Sequence, residues 1–282
     1  MSRLIGRILA TEKNPTTMDK FCFWTDQSEK LNAFDIIKVK RRDGSFTFGV
    51  IENISHITDA QSYLTNFISS DFGDVSIEEP TFRVGMNYIE AKVSYNTGNL
   101  YTPVHNNEEV YLATADEVTF ALGLANVDNP LVCGFLKMYE GTADELVLPV
   151  HLNSKFLLGR EGAHLNISGI SGLASKTSYA MFMMKAIQDQ CISENVDDSV
   201  AFVIFNVKGK DLMAIDKPND FGGNAELRDK VLAEYTTMGL TTEPFKKVKY
   251  FIPFSELTSA KRSTYLSSNE VESYIKSGKL KK

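Results

Sequence analysis

The chain has little of what metal-binding, disulfide-stapled or membrane-spanning proteins are built from. Its 282 residues include three cysteines and four histidines. Cys22, Cys133 and Cys191 are scattered, two of them in strongly apolar surroundings, so they read as buried thiols of a reducing cytoplasm and not as a disulfide framework. His56, His105, His151 and His164 show no ligand spacing, which argues against a Cys/His metal centre. No run of about 18 apolar residues occurs, so no membrane-spanning helix is expected. The opening Met1-Ser2-Arg3-Leu4-Ile5-Gly6-Arg7 gives way at Thr11-Glu12-Lys13-Asn14 to residues too polar for a secretory signal. Positive charge is short as well: 30 Lys and Arg against 36 Asp and Glu leave a formal net charge of −6. That excludes general attraction to nucleic acid or an anionic membrane, but not a local basic lining.

What remains is material for a core. Hydrophobic residues make up 43% of the chain and aromatic ones 11%, over a length that accommodates two domains of ordinary size or one large one. The first half reads as short β-strands. Arg3 to Ala10, Phe21 to Trp24, Asp35 to Lys40, Phe46 to Ile51, Phe82 to Val84 and Tyr88 to Val93 are strand-like. Asp43-Gly44 between two of them is a hairpin signal, because both residues tolerate positive φ. Such closely spaced strands predict a small barrel or a curled sheet. Ser62 to Ser70 reads as a helical or irregular insertion, and residues 94–109 as a loop. Thr114 is an N-cap candidate, with Asp116 and Glu117 in the first turn of a short helix. An apolar segment after Pro130, a turn at Glu140-Gly141 and a strand near Leu146 to Val150 lead to a domain boundary at about residue 150.

Beyond it the pattern becomes strand alternating with helix. Leu165 to Ile170 and Val200 to Val207 are expected strands, the second apolar enough to be covered on both faces. Helices are expected over Lys176 to Ile192, Ala225 to Met238 and Ser267 to Ser277, with a further strand at Val248 to Phe254. Between the first strand and the first helix runs Gly169-Ile170-Ser171-Gly172-Leu173-Ala174-Ser175-Lys176-Thr177-Ser178. Strand, small-residue loop, Lys-Thr and helix is the layout of a phosphate-binding P-loop. Its chemistry needs backbone N–H groups turned toward the phosphates, a lysine for the β/γ-phosphates and a hydroxyl for Mg²⁺ at a helix N-terminus. The usual G-x-x-x-x-G-K-[ST] spacing puts glycines where Ile170 and Ser175 stand, whereas Gly169 and Gly172 lie seven and four positions before the lysine. A strand-to-helix turn with an ordinary first-turn lysine is the competing reading.

The run from Gly159-Arg160-Glu161-Gly162-Ala163-His164 through Lys176-Thr177-Ser178-Tyr179 resembles HerA-type ATPases, in particular a divergent bacterial group of two-gene anti-phage systems. Met1 to Arg7 and Phe46 to Ile51 resemble that family's N-terminal β-barrel. The resemblance implies an α/β P-loop ATPase core of the FtsK/HerA kind at 151–282, preceded by a β-barrel assembly domain at 1–150. It implies a homo-hexamer, ATP and Mg²⁺ as cofactors, a sirtuin-like or nuclease effector as partner, and DNA in a central channel. Carried onto this chain, Gly172, Leu173, Ala174 and Ser175 are the phosphate cradle and Lys176 the β/γ-phosphate contact. Thr177 is the Mg²⁺ hydroxyl, and the Ser178 N–H reaches the α-phosphate.

Hydrolysis also needs a carboxylate at the end of a neighbouring strand. Asp211 and Glu256 are the candidates, each competing with an ordinary solvated carboxylate. HerA-like proteins are longer than this chain, so the acidic motif and arginine finger are expected beyond Lys282; nothing selects Arg160, Arg228 or Arg262 as that finger. Lys208, Lys210, Lys246, Lys247 and Lys249 are the local basic groups available to DNA phosphates, or plain solvated lysines. The alternative function is a non-catalytic ring scaffold with a degenerate P-loop.

Overall fold

A computed structural model describes residues 2–69, 71–74, 76, 84–99, 102–158, 164–170, 175–193, 200–206, 211–251, 267–278 and 280–281. The chain divides into two compact units. The first comprises Met1–Val127 with Phe135–Val150, the second Asp128–Gly134 with His151–Lys282.

The first unit is a closed six-stranded barrel. Strands β1 (Leu4–Leu9), β2 (Lys20–Asp26), β3 (Ile36–Lys40), β4 (Phe46–Thr58), β5 (Gly85–Asn96) and β6 (Glu109–Leu112) follow the order β1-β2-β5-β4-β3-β6, and β6 returns to β1. Every neighbouring pair is antiparallel. Alternation supplies the lining: Phe21 and Phe23 from β2, Ile37 and Val39 from β3 and Ile89 and Ala91 from β5 are essentially fully buried. Size matching completes it. A Cβ at Gly49 would stand 2.7 Å from the Phe21 ring, so the missing side chain makes room for that phenyl. Register shifts at Phe48/Gly49 and Ile51/Asn53 bend β4, the longest strand, around the barrel.

The Asp-Gly hairpin is present but takes five residues, 41–45, with the Arg41 N–H donating to the Ser45 carbonyl at 2.9 Å. Of the pair, only Gly44 takes positive φ, at 85°. The insertion between β4 and β5 carries a seven-residue helix, α1 (Tyr63–Ser69). Phe82 and Arg83, read as strand, lie outside the described residues, and Val84 is not in a strand.

Helix α2 (Ala115–Ala121) starts where expected: Thr114 is its N-cap, and the Thr114 N–H donates to the Glu117 carboxylate at 2.8 Å. It buries Val118 and Ala121 in the barrel core. Glu117 also pairs with the Lys38 ammonium, which lies over the faces of Phe46 and Tyr111 at 5.1 and 5.9 Å. Strands β7 (Pro130–Met138) and β8 (Leu146–Asn153) form a two-stranded sheet. Just past β7, Tyr139 is fully buried. Its hydroxyl donates to the Ile36 carbonyl at 2.6 Å and accepts the Ala113 N–H at 2.9 Å, and its own N–H donates to Asp35 Oδ1 at 2.9 Å.

In the second unit the three expected helices are present, and one short turn joins them that the sequence did not announce. A single turn, α3 (Lys155–Leu158), is followed by α4 (Ser175–Ser193), α5 (Ala225–Thr237) and α6 (Ser268–Lys276). The strands depart from expectation. Residues 164–170 and 200–206 have no strand pairing, so the strands expected at Leu165 to Ile170 and over the described part of Val200 to Val207 are corrected. A strand exists only through a partner's backbone, and no described residue provides one for either stretch. The side chains agree: Val203 and Phe205, expected to be covered on both faces, are 80% and 88% exposed. Within the expected strand Val248 to Phe254, only Tyr250–Phe251 (β9) is described as strand; it pairs in parallel with β10 (Leu280–Lys281). Tyr250 and Val271 form a small core beside it.

Candidate functional site

The first turn of α4 holds Ser175, Lys176, Thr177 and Ser178. Four N–H groups at a helix start lack intrahelical acceptors, and together with the peptide dipoles they give that end partial positive charge. The helix is anchored behind the turn by Met183, Ala186 and Ile187, all buried. Lys185, also buried, pairs with Asp189 one turn on and donates to the Thr241 hydroxyl at 2.9 Å. The turn is thus presented from a fixed body.

Lys176 folds back across the preceding segment. Its Nζ donates to the carbonyls of Gly169 at 2.9 Å and Ile170 at 3.1 Å. Glycine at 169 permits this close approach, since a Cβ there would meet Lys176 Cγ at 3.3 Å. No carboxylate pairs with the amine among the described residues. A positive side chain therefore lies beside the positive end of a helix, and among the described residues neutral carbonyl oxygens hold it. Between 164–170 and the helix start is a cleft of about 360 Å³. Leu165, Asn166, Ile167, Ser168, Ser175, Lys176 and Tyr179 line it.

Tyr179 falls outside the loop motif, although three-residue spacing on a helix puts it on the face of Lys176. Its hydroxyl donates to the Cys133 carbonyl at 2.9 Å, and its ring stacks on Phe182 with centroids 5.9 Å apart and planes 24° from parallel. Burial raises the phenol above its ordinary pKa, with the Cys133 thiol adding to the shift, and burial likewise raises that thiol.

The chain matches no family model and no curated protein.

Of the predicted site, then, Ser175, Lys176, Thr177 and Ser178 share one helical turn, with Gly169 against the lysine. Gly172, Leu173 and Ala174 lie outside the described residues. Asp211 opens a 3-10 turn, Asp211–Ala214, while Glu256 is outside the described residues, as are Arg160, Arg262, Lys208 and Lys210. Arg228, exposed on α5, pairs with the adjacent Asp229 at 3.0 Å. Lys246, Lys247 and Lys249 are exposed, and the Gln188 side chain of α4 holds the Lys246 backbone through both its N–H and carbonyl. Among the described residues no three His, Cys, Asp or Glu side chains cluster as a metal site, and no helix is long and apolar enough to cross a membrane.

Proposed function

We propose that this chain binds ATP with Mg²⁺ at the start of α4, as the nucleotide-binding subunit of a hexameric HerA-like motor. The observation that carries the reading is the lysine. Lys176 and the N-terminus of α4 concentrate positive charge on one cleft with no carboxylate to balance it among the described residues, and an anion relieves that arrangement. The donor set fits a nucleotide: an ammonium for the β/γ-phosphates, first-turn N–H groups including that of Ser178, and the Thr177 hydroxyl as a Mg²⁺ ligand. Magnesium there would neutralise phosphate charge as phosphoryl transfer develops it.

The wider reading is an assembly of six such subunits. Its barrels meet one another or a sirtuin-like or nuclease effector in anti-phage defence, and DNA is engaged through exposed lysines such as Lys246, Lys247 and Lys249. The decisive experiment is Mg-ATP titration of the whole chain and its Lys176→Ala variant by calorimetry. Loss of a charge-assisted phosphate contact of about 1.5–3 kcal/mol predicts roughly 10- to 150-fold weaker binding. Equal affinity in the two proteins overturns the assignment. ATP turnover that responds to DNA separates the motor from a ring scaffold, in which Lys176→Ala leaves assembly and partner capture intact.

A further inference from the structure

The cleft at the start of α4 has a lining of two chemical kinds. Lys176, Ser175 and Ser168 bring cationic and polar groups to it, and Leu165, Ile167 and the ring of Tyr179 bring apolar surface. A site for phosphate alone has no use for the apolar groups. We infer that Tyr179 is the stacking wall for a nucleobase, so that the ligand is a purine nucleotide read at both ends and not a bare polyphosphate. This rests on the nucleotide-binding reading of Lys176.

The ring is set for that role by what holds it. Its hydroxyl is tied to the Cys133 carbonyl at 2.9 Å, and its far side is backed by Phe182, whose ring meets Tyr235 edge-on at 6.4 Å and 86°. A tyrosine kept only as core packing would be buried; this one is 39% exposed while its polar tip is already satisfied. With the hydroxyl engaged, the ring is what this side chain has to offer a ligand. Because the rotamer is fixed before anything binds, stacking a base on it costs little side-chain entropy. Purines present the larger π-face, and aromatic stacking accepts any base by its face, so Tyr179 supplies affinity for a base more than a choice between adenine and guanine. Asn166, on the same cleft, carries a carboxamide with both a donor and an acceptor to offer a base edge.

The test compares Mg-ATP with Mg-tripolyphosphate, which has the phosphates and no base, on wild type, Tyr179→Leu and Tyr179→Phe. Stacking lies in the range of about 1–3 kcal/mol per base, so Tyr179→Leu should weaken ATP by roughly 5- to 150-fold. Tripolyphosphate affinity should stay within about twofold, and Tyr179→Phe, which keeps the ring, should retain most of the ATP affinity. Equal losses for both ligands would make Tyr179 a positioning residue for the helix, and no loss for either would remove it from the site; both results overturn the proposal. Wild type binding tripolyphosphate as tightly as ATP also overturns it, while leaving the Lys176 reading standing. Wild type binding neither ligand overturns both. A Tyr179→Trp variant gives a readout that does not depend on a leucine being tolerated. Over the background of Trp24, its added fluorescence should change with ATP and not with tripolyphosphate, and an indifferent signal refutes stacking.

Discussion

Glu117→Gln removes one negative charge from the first turn of α2 while keeping the side chain's shape, and its effect is calculable from its partners. The carboxylate accepts the Thr114 N–H and pairs with Lys38, an ammonium whose side chain is only 9% exposed. Glutamine retains an acceptor for one of the two but turns charge-assisted bonds into neutral ones, a difference of about 1 kcal/mol each. Lys38 keeps the faces of Phe46 and Tyr111, which limits the penalty for leaving its charge behind. The expected loss near neutral pH is therefore about 2 kcal/mol.

The pH dependence tests the cause. Burial pushes Glu117 up, but its bonds to Lys38 and Thr114 outweigh burial and hold it below the ordinary 4.5. A carboxyl with a depressed folded-state pKa contributes stability that is fully present above its unfolded value and lost as pH falls through the folded one. Wild type and variant should thus differ at pH 7 and converge toward pH 3. Urea unfolding followed by the fluorescence of Trp24, the single tryptophan and a β2 residue, reports on the barrel. A gap that stays constant from pH 7 to pH 3 would refute the electrostatic account in favour of altered packing.

Two further substitutions probe the barrel with the same assay. Gly6→Ala places a Cβ 2.1 Å from the Trp24 carbonyl oxygen, a backbone atom that cannot turn away, and should cost about 3 kcal/mol or more; a loss under about 1 kcal/mol would mean the β1–β2 seam is looser than its register implies. Tyr139→Phe leaves the Ala113 N–H and the Ile36 carbonyl without their shared hydroxyl in a fully buried place, an expected loss of about 2–4 kcal/mol. A near-neutral Tyr139→Phe would show that those two groups find other partners.

The elements most legible in the sequence are those whose hydrogen bonds close locally. Helix α4 was expected over Lys176 to Ile192 and runs from Ser175 to Ser193, because each N–H bonds four residues back and the sequence of the segment suffices. The barrel strands were legible through alternation, but β6 was not: its four residues, Glu109 to Leu112, follow a polar loop and carry too short a pattern. The stretches at 165–170 and 200–206 failed in the opposite way, since apolar content shows what a segment tends to bury without providing a backbone to pair with. At the site, the place of Lys176 on a helix start was readable from residue order. Tyr179 was not, because its hold comes from Cys133, 46 residues earlier in the chain.

Closure of the barrel also sets an order in time. Of the six barrel strands β1 is synthesised before the others, yet one of its two neighbours is β6, where Arg7 meets Glu109. Until Leu112 is available, the sheet is an open ribbon with β1 and β3 as free edges, and free edges recruit strands from other molecules. Contacts so far apart in sequence form slowly, which lengthens that exposed interval. A nascent chain stalled before residue 109 would therefore be adhesive, and four residues of β6 turn it into a sealed surface.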